Sequence, residues 1–497
     1  MRIYNKLFIS ASLGLLPLMS SYAESKKNIL FILCDQMSWQ TLGVYGNTTN
    51  STPTIDSLAN AGIAFSRVYT TCPLSMPARA ALWTGQYPHI TKVESNGQKW
   101  KNELVSDSLP TIGEVFSHNG YECVHFGKQH DSGALRGFKK HPLGQIKVDD
   151  EHKEFPLTKD SYVDVHTMKY ALEYLNSTKG CKKPFFCVVD LNNPHNICSY
   201  IGAYQGKHDN PAYPTDLPEL PSNFVDPSPE DRPHPVQYMC CSHRRLRMTT
   251  EWTPENYRHY LAAYYYYSNR LDRDINSLMN ALRASGNAEN TLIVFLSDHG
   301  EGMAAKRMVT KQGTPYDQTT RVPLVFTGAG VPKHKKTCDT PLVSSSLDVF
   351  PTLCEYSGIE IPKELHGKSL LGWIDGKSKK NNAEYVCSEW TTEFGYTVSP
   401  FRMIRTDRYK YVKYLEDGAE ELYDMEKDPD EVNNLVKNNK YKKELEYHRT
   451  LLAEHIKETS DNFYEREVKW DTRVAKHKVG YENHVGLSAL ELKPVKK

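Results

Sequence analysis

The sequence predicts an α/β fold: a mixed central sheet flanked by helices, with a smaller C-terminal subdomain of antiparallel strands plus a helix. Three observations carry this. Residues 28–34, 185–191 and 291–297 are near-continuous apolar runs that stop abruptly at polar residues, the pattern of strands buried on both faces. Stretches of helical periodicity separate them, as parallel pairing requires. After about residue 380 the pattern changes to short alternating segments joined by turn residues.

In chain order, the 28–34 strand ends at Asp35-Gln36, and a short helix begins near Thr52-Pro53. Residues 62–69 read as a strand that delivers the chain to Ser75-Met76-Pro77-Ala78-Arg79 and on to Thr84-Gly85. Here a loop enters a helix: Ser75 falls at the N-cap or first turn, Pro77 has the fixed φ of a helix start, and Ala78 to Leu82 are good helix formers. First-turn N–H groups favour an anion, and Arg79 returns to the face of Ser75 one turn later. Residues 109–118 read as a helix and 121–126 as a strand closed by Gly127-Lys128-Gln129-His130. A helix over 161–175 precedes the 185–191 strand, which ends at Asn192-Asn193-Pro194-His195.

From residue 196 to 252 the periodicity dissolves into a proline-rich insertion with an arginine run, Arg244-Arg245-Leu246-Arg247, read as a long substrate loop. A long helix over 254–282 follows, then the 291–297 strand ending at Asp298-His299-Gly300, and a loop holding Lys306, Lys311 and Tyr316-Asp317. Residues 324–327 read as a strand and 344–356 as a helix. In the C-terminal part, strands are expected over 385–390, 401–406 and 409–415, with a hairpin turn at 405–408 and a charged helix over 441–458. The expected division is a signal peptide over 1–23, a catalytic domain over 24–380 and a subdomain over 381–497.

The bulk numbers narrow the function. With 61 Lys+Arg against 60 Asp+Glu in 497 residues, global charge steers no partner, which argues against nucleic acid; anion selectivity must be local. Arg2 and Lys6 precede an apolar run over 7–19 that is too short for a membrane span and is followed by small residues before position 24, the layout of an export signal. This predicts an exported, periplasmic or secreted bacterial protein with no transmembrane span. Eleven cysteines without paired CxxC spacing read as mostly buried thiols. The 31 tyrosines read first as a tyrosine-rich core.

In open α/β sheets, sites form beyond the carboxyl ends of strands. Asp35-Gln36 and Asp298-His299 each follow such a strand, and together they could bind one divalent cation; from the residues alone, calcium, magnesium and zinc all fit. Arg79, Lys128, His130, His195 and Lys311 add cationic groups at the ends of separate elements.

The run from Ser75 to Gly85 resembles the Cys/Ser-x-Pro-x-Arg…Thr-Gly signature of the type I sulfatases, in the alkaline phosphatase superfamily. The likeness extends from residue 28 to about 326 and continues through 402–431. It implies an alkaline-phosphatase-like sheet and a serine-type enzyme in which Ser75 is oxidised to formylglycine by an anaerobic-type maturase. It implies Asp35, Gln36, Asp298, His299 and the modified Ser75 as calcium ligands. Arg79 and Lys128 then hold the hydrate and sulfate oxygens, His130 is the base, and His195 and Lys311 contact sulfate and protonate the departing oxygen. Gln36 stands where many members have Asp. Lys311 lies one residue further from Tyr316 than is common, which leaves Lys306 as its alternative.

The implied substrate is a sulfated carbohydrate of glycosaminoglycan or mucin type. Rival expectations are a phosphoester hydrolase using unmodified Ser75, a sulfamidase acting on N-sulfoglucosamine, and a glycan-binding protein without turnover.

Overall fold

The computed structural model describes residues 26–97, 102–144, 161–204, 217–224, 252–311, 313–333, 341–377, 383–391, 399–415 and 418–466. The expected signal peptide, the arginine run at 244–247 and the chain's final segment lie outside these residues. Thirteen strands are present among the described residues: β1 (Asn28–Asp35), β2 (Ile63–Phe65), β3 (Val68–Tyr69), β4 (Glu122–Gly127), β5 (Lys139–Lys140), β6 (Phe185–Pro194), β7 (Thr291–Ser297), β8 (Leu324–Gly328), β9 (Val343–Ser344), β10 (Tyr385–Trp390), β11 (Phe401–Thr406), β12 (Tyr409–Tyr414) and β13 (Glu420–Asp424).

Seven of them form the central sheet, in the order β2-β8-β7-β1-β6-β4-β5. The β7-β1-β6-β4-β5 block is parallel, β8 pairs antiparallel with β7 and β2 antiparallel with β8, so the sheet is mixed as expected. Parallel pairing brings the carboxyl ends of β1, β4, β6 and β7 to one edge. The four polar clusters found in the sequence therefore meet there.

One face of β1 puts Ile29, Phe31 and Leu33 into a core with Phe116, Phe186 and Trp83, the last from the Ser75–Thr84 helix. The opposite face puts Leu30, Ile32 and Cys34 against Leu271, Ile275 and Leu278 of the Pro254–Ala284 helix. That helix begins with a capping box, Thr253 and Asn256 each satisfying the other's backbone N–H. Gly127 has φ of 100°, and a Cβ there would lie 1.9 Å from the Asp190 carbonyl oxygen. Only glycine lets β4 end this close to β6.

The structure corrects two sequence readings. The irregular stretch expected from residue 196 begins instead with a helix, Ile197–Tyr204. Its Ile197, Tyr200 and Ile201 are buried against Tyr257, Tyr260 and Tyr264 of the long helix, a partner that local pattern could not reveal. The charged segment Glu421-Leu422-Tyr423-Asp424, not among the strands expected above, is part of β13. Glu421 is buried there because the hydroxyls of Tyr414, Tyr423 and Tyr316 donate to its carboxylate at 2.7, 2.6 and 3.1 Å. The eight cysteines among the described residues are all unpaired, seven of them buried.

Strands β10 to β13 form a four-stranded antiparallel sheet covered by the Lys442–Glu458 helix. Buried charges join this subdomain to the central sheet. Lys410 on β12 donates to Asp317 and Glu431 at 2.6 Å each and to the Pro315 carbonyl at 3.2 Å. Within the subdomain, Arg402 on β11 grips Asp461 through two nitrogens, at 2.5 and 2.9 Å.

His89 reaches Glu389 of β10 through Nδ1 at 2.7 Å and the Thr459 carbonyl through Nε2 at 3.1 Å. Both ring nitrogens face acceptors, so the imidazolium form fits. Although burial alone would lower it, Glu389 raises the His89 pKa, and burial notwithstanding His89 and Arg402 hold Glu389 at about 2. A raised histidine pKa stabilises fully below the unfolded value, about 6.5, and that contribution fades as pH rises through the folded value. His89→Gln is therefore expected to flatten the fall in unfolding free energy above pH 6.5; matched denaturant titrations of both proteins from pH 6 to 9 measure the difference.

Candidate active site

Asp35 closes β1 with its side chain fully buried, and the ladder to β6 shifts register between Cys34 and Asp35. The chain then turns sharply: Gln36 has φ of 71°, a left-handed conformation that a non-glycine residue adopts only under constraint. Hydrogen bonds from three sides help hold it. Its N–H donates to Asp298 Oδ1 at 3.0 Å, its carbonyl accepts from Tyr264 at 2.7 Å, and its carboxamide oxygen accepts from Lys311 at 3.0 Å.

Arg79, one turn into the Ser75–Thr84 helix, is fully buried. It donates to Asp298 Oδ2 at 2.8 Å, to Asp35 Oδ2 at 3.2 Å and to Asp190 of β6. Lys128, just past β4, donates to Asp35 Oδ2 at 2.6 Å.

Ser75 is the first residue of its helix and is buried. Its Oγ lies 2.9 Å from His299 Nε2 and 3.4 Å from Lys311 Nζ. His299 Nδ1 points at the Gly300 carbonyl, 2.9 Å away, and must carry the proton there, so in the neutral ring Nε2 presents a lone pair to Ser75. The choice between lysines is geometric. Lys311 reaches Ser75 and Gln36, whereas Lys306 Nζ donates to the Asp430 carbonyl at 2.6 Å and lies over the Tyr316 ring, 4.5 Å from its centre. The loop that carries both lysines runs through positive φ at Met303, Ala304, Lys306, Arg307 and Thr310.

A sulfatase family model matches residues 27–359, and a second model, described as N-sulphoglucosamine sulphohydrolase, C-terminal, matches residues 302–458. The chain belongs to the sulfatase family. It is 44% identical over 474 residues to a Delta 4,5-hexuronate-2-O-sulfatase of Bacteroides thetaiotaomicron, covering 95% of this chain and 98% of that protein. It is 27% identical over 463 residues to a sulfatase of Formosa agariphila, covering 86% of each. The solved structure of a 2-O GAG sulfatase superposes with a TM-score of 0.87 at 44% identity, over 94% of this chain and 100% of that one. The fold is alkaline-phosphatase-like, and the activity is that of a sulfuric ester hydrolase. No helix among the described residues of this sulfatase is long and apolar enough to cross a membrane.

Asp35, Asp298 and His299 present ligand atoms that all lie within 4.8 Å of one another, a buried cluster matching the calcium and formylglycine-hydrate site of type I sulfatases. The donors fit a cation. Asp35 Oδ1 is buried with no hydrogen-bond partner, and it lies 3.8 Å from His299 Nε2. Burial and the neighbouring Asp35 push Asp298 up to about 7, a like-charge conflict that a divalent cation relieves. Against the pull of burial, Lys128, His195 and Arg79 hold Asp35 well below the carboxylate range. Burial and then Lys311 push His299 well below its usual range, which keeps its Nε2 lone pair free. His130 lies in the field of Lys128, Arg79 and Lys311, and burial with those charges pushes it down to about 3. Asp35, Gln36, Ser75, Arg79, Lys128, Asp298, His299 and Lys311 thus meet at one edge of the sheet, with His130 and His195 within reach of their charges.

Two carboxylates went unnoticed in the sequence. Asp190 sits inside the apolar run of β6, where it read as part of the strand; a lone Asp in a doubly buried strand was the available signal. Glu301, three residues beyond Asp298, is fully buried and accepts from Tyr260 of the long helix and from the Gln36 amide.

Proposed function

We propose that this sulfatase is exported and removes a 2-O-sulfate ester from uronate-containing sulfated carbohydrates of glycosaminoglycan type, using Ser75 after its oxidation to formylglycine. The observation that carries the reading is the place of Ser75. It stands at the first turn of a buried helix, flanked by His299 and Lys311, above carboxylates tied together by Arg79. The 2-O-sulfatase names carried by the matched sequence and by the matched solved structure, each at 44% identity, support the substrate class. The basic and apolar N-terminal residues support export. Oxidation of Ser75 calls for an anaerobic-type maturase as partner.

Asp35, Gln36, Asp298, His299 and the modified Ser75 would hold calcium, which supplies charge to polarise the sulfate and lower the pKa of the attacking hydroxyl. The formylglycine hydrate supplies two hydroxyls on one carbon, one as nucleophile and one whose deprotonation later frees sulfate. Lys128, His195 and Lys311 meet the negative oxygens, where fixed charge in a dry site counts most. Lys311 or His195 gives the departing sugar oxygen its proton, and His130, kept neutral by its surroundings, takes one from the second hydroxyl.

Protein coexpressed with a maturase should lose two hydrogens at the Ser75 peptide by mass spectrometry and desulfate an unsaturated 2-O-sulfated uronate disaccharide. Turnover confined to N-sulfoglucosamine, to 6-O-sulfated sugars or to phosphate esters would overturn the substrate reading. Lys311→Ala should lower kcat/KM by about 10²- to 10⁴-fold, the range for a positioned proton donor. Lys306→Ala, tied to Asp430 instead, should lose far less. Steady-state rates of both variants on the same disaccharide check this.

A further inference from the structure

Gln36 has an acceptor end and a donor end, and its neighbours force which end faces Ser75. Lys311 Nζ only donates, and it meets Oε1 at 3.0 Å. Glu301 meets Nε2 with Oε2, while its Oε1 accepts from the Tyr260 hydroxyl. Both Glu301 oxygens act as acceptors, the role of a carboxylate. Cys198 Sγ lies 3.3 Å from Nε2 and 3.5 Å from Oε1, so it favours neither orientation. A reversed amide would set its NH₂ against the Lys311 ammonium and against any cation held by Asp35 and Asp298. A carboxylate at position 36 would have no such ambiguity, since both its ends accept.

We propose that Glu301, itself fixed by Tyr260, is a positioning residue that turns the carboxamide oxygen of Gln36 toward the cation. Glu301 touches neither the reacting atoms nor the cation and acts through Gln36. The inference rests on the calcium reading given under the proposed function.

The test is calcium affinity, measured by titration calorimetry on the unmatured Ser75 protein, in a cycle over positions 301 and 36. Glu301→Gln keeps the volume, but a carboxamide at 301 can meet either end of Gln36, so the orientation is no longer forced. With Gln36 present, this substitution should weaken calcium binding about 10- to 100-fold, the usual cost of losing a partner that orients a metal ligand. In a Gln36→Ala background, with nothing left to orient, the same substitution should cost far less. Should Glu301→Gln fail to fold by its melting curve in EDTA, Glu301→Asp, whose shorter reach breaks the contact with Gln36, takes its place with the same expectations. Equal losses in both backgrounds, or no loss beside Gln36, would overturn the proposal. Absence of calcium binding by the unsubstituted protein would overturn the cation reading beneath it as well, so the two failures are distinguishable.

Discussion

Ser75→Ala is expected to abolish sulfate release, by about 10⁶-fold in kcat, the scale on which loss of a covalent nucleophile registers. The fold should barely notice. Ser75 does not cap its helix, since Leu74 occupies the N-cap, and its hydroxyl contacts run to His299 and Lys311. The variant should therefore melt near the unsubstituted protein while showing no turnover on the 2-O-sulfated disaccharide. A sharper comparison uses unsubstituted protein made without the maturase. It keeps a plain hydroxyl, a weak nucleophile near neutral pH, and should be as inactive as the alanine variant. Full activity from protein shown by mass spectrometry to carry unmodified serine would sink the formylglycine reading and favour a serine-based esterase.

Arg79→Met should cost the most stability of any single change in the site. The guanidinium is the buried tie between Asp35, Asp190 and Asp298, each within hydrogen-bond reach. Those three carboxylates, and burial acting against them, set its raised pKa. Removing one partner of a buried pair costs about 3–5 kcal/mol, because the charge left behind is uncompensated. Arg79→Lys should recover little, since a single ammonium cannot span three carboxylates with a fork's geometry. Measured in EDTA, the loss should shrink on acidification. Carboxylates stripped of their cation bind protons more tightly folded than unfolded, so the variant's stability falls as pH rises. Urea titrations at pH 5 and pH 8 measure this; a loss equal at both would mean that Arg79 matters through packing and not charge.

The site was legible because its chemistry sits where strands end. Strands that stop at Asp35, Lys128, His195 and Asp298 mark both the sheet and its functional edge. Parallel register then brings those residues together without further information. What escaped notice depends on tertiary partners. Glu301 becomes meaningful only when Tyr260, from a helix some forty residues earlier, closes over it, and a tyrosine-rich helix reads as core whichever of its hydroxyls point inward. Asp190 is hidden by the strand that carries it. The helix Ile197–Tyr204 is short and apolar, bounded by sequence with no periodicity, and gains its definition from the tyrosines it packs against. Strand β13 is masked by a glutamate whose burial depends on three hydroxyls distributed over β12, β13 and the loop before Asp317.

Lys410 also decides how this polypeptide can be divided. Its ammonium belongs to the C-terminal sheet, whereas Asp317, one of its two carboxylates, belongs to the segment just after Lys311. Two genes split near codon 380 would leave Lys410 with Glu431 alone in one half and Asp317 with Arg321 alone in the other, each buried charge stripped of a partner. Neither half should persist alone, and the two should regain sulfate release when produced together.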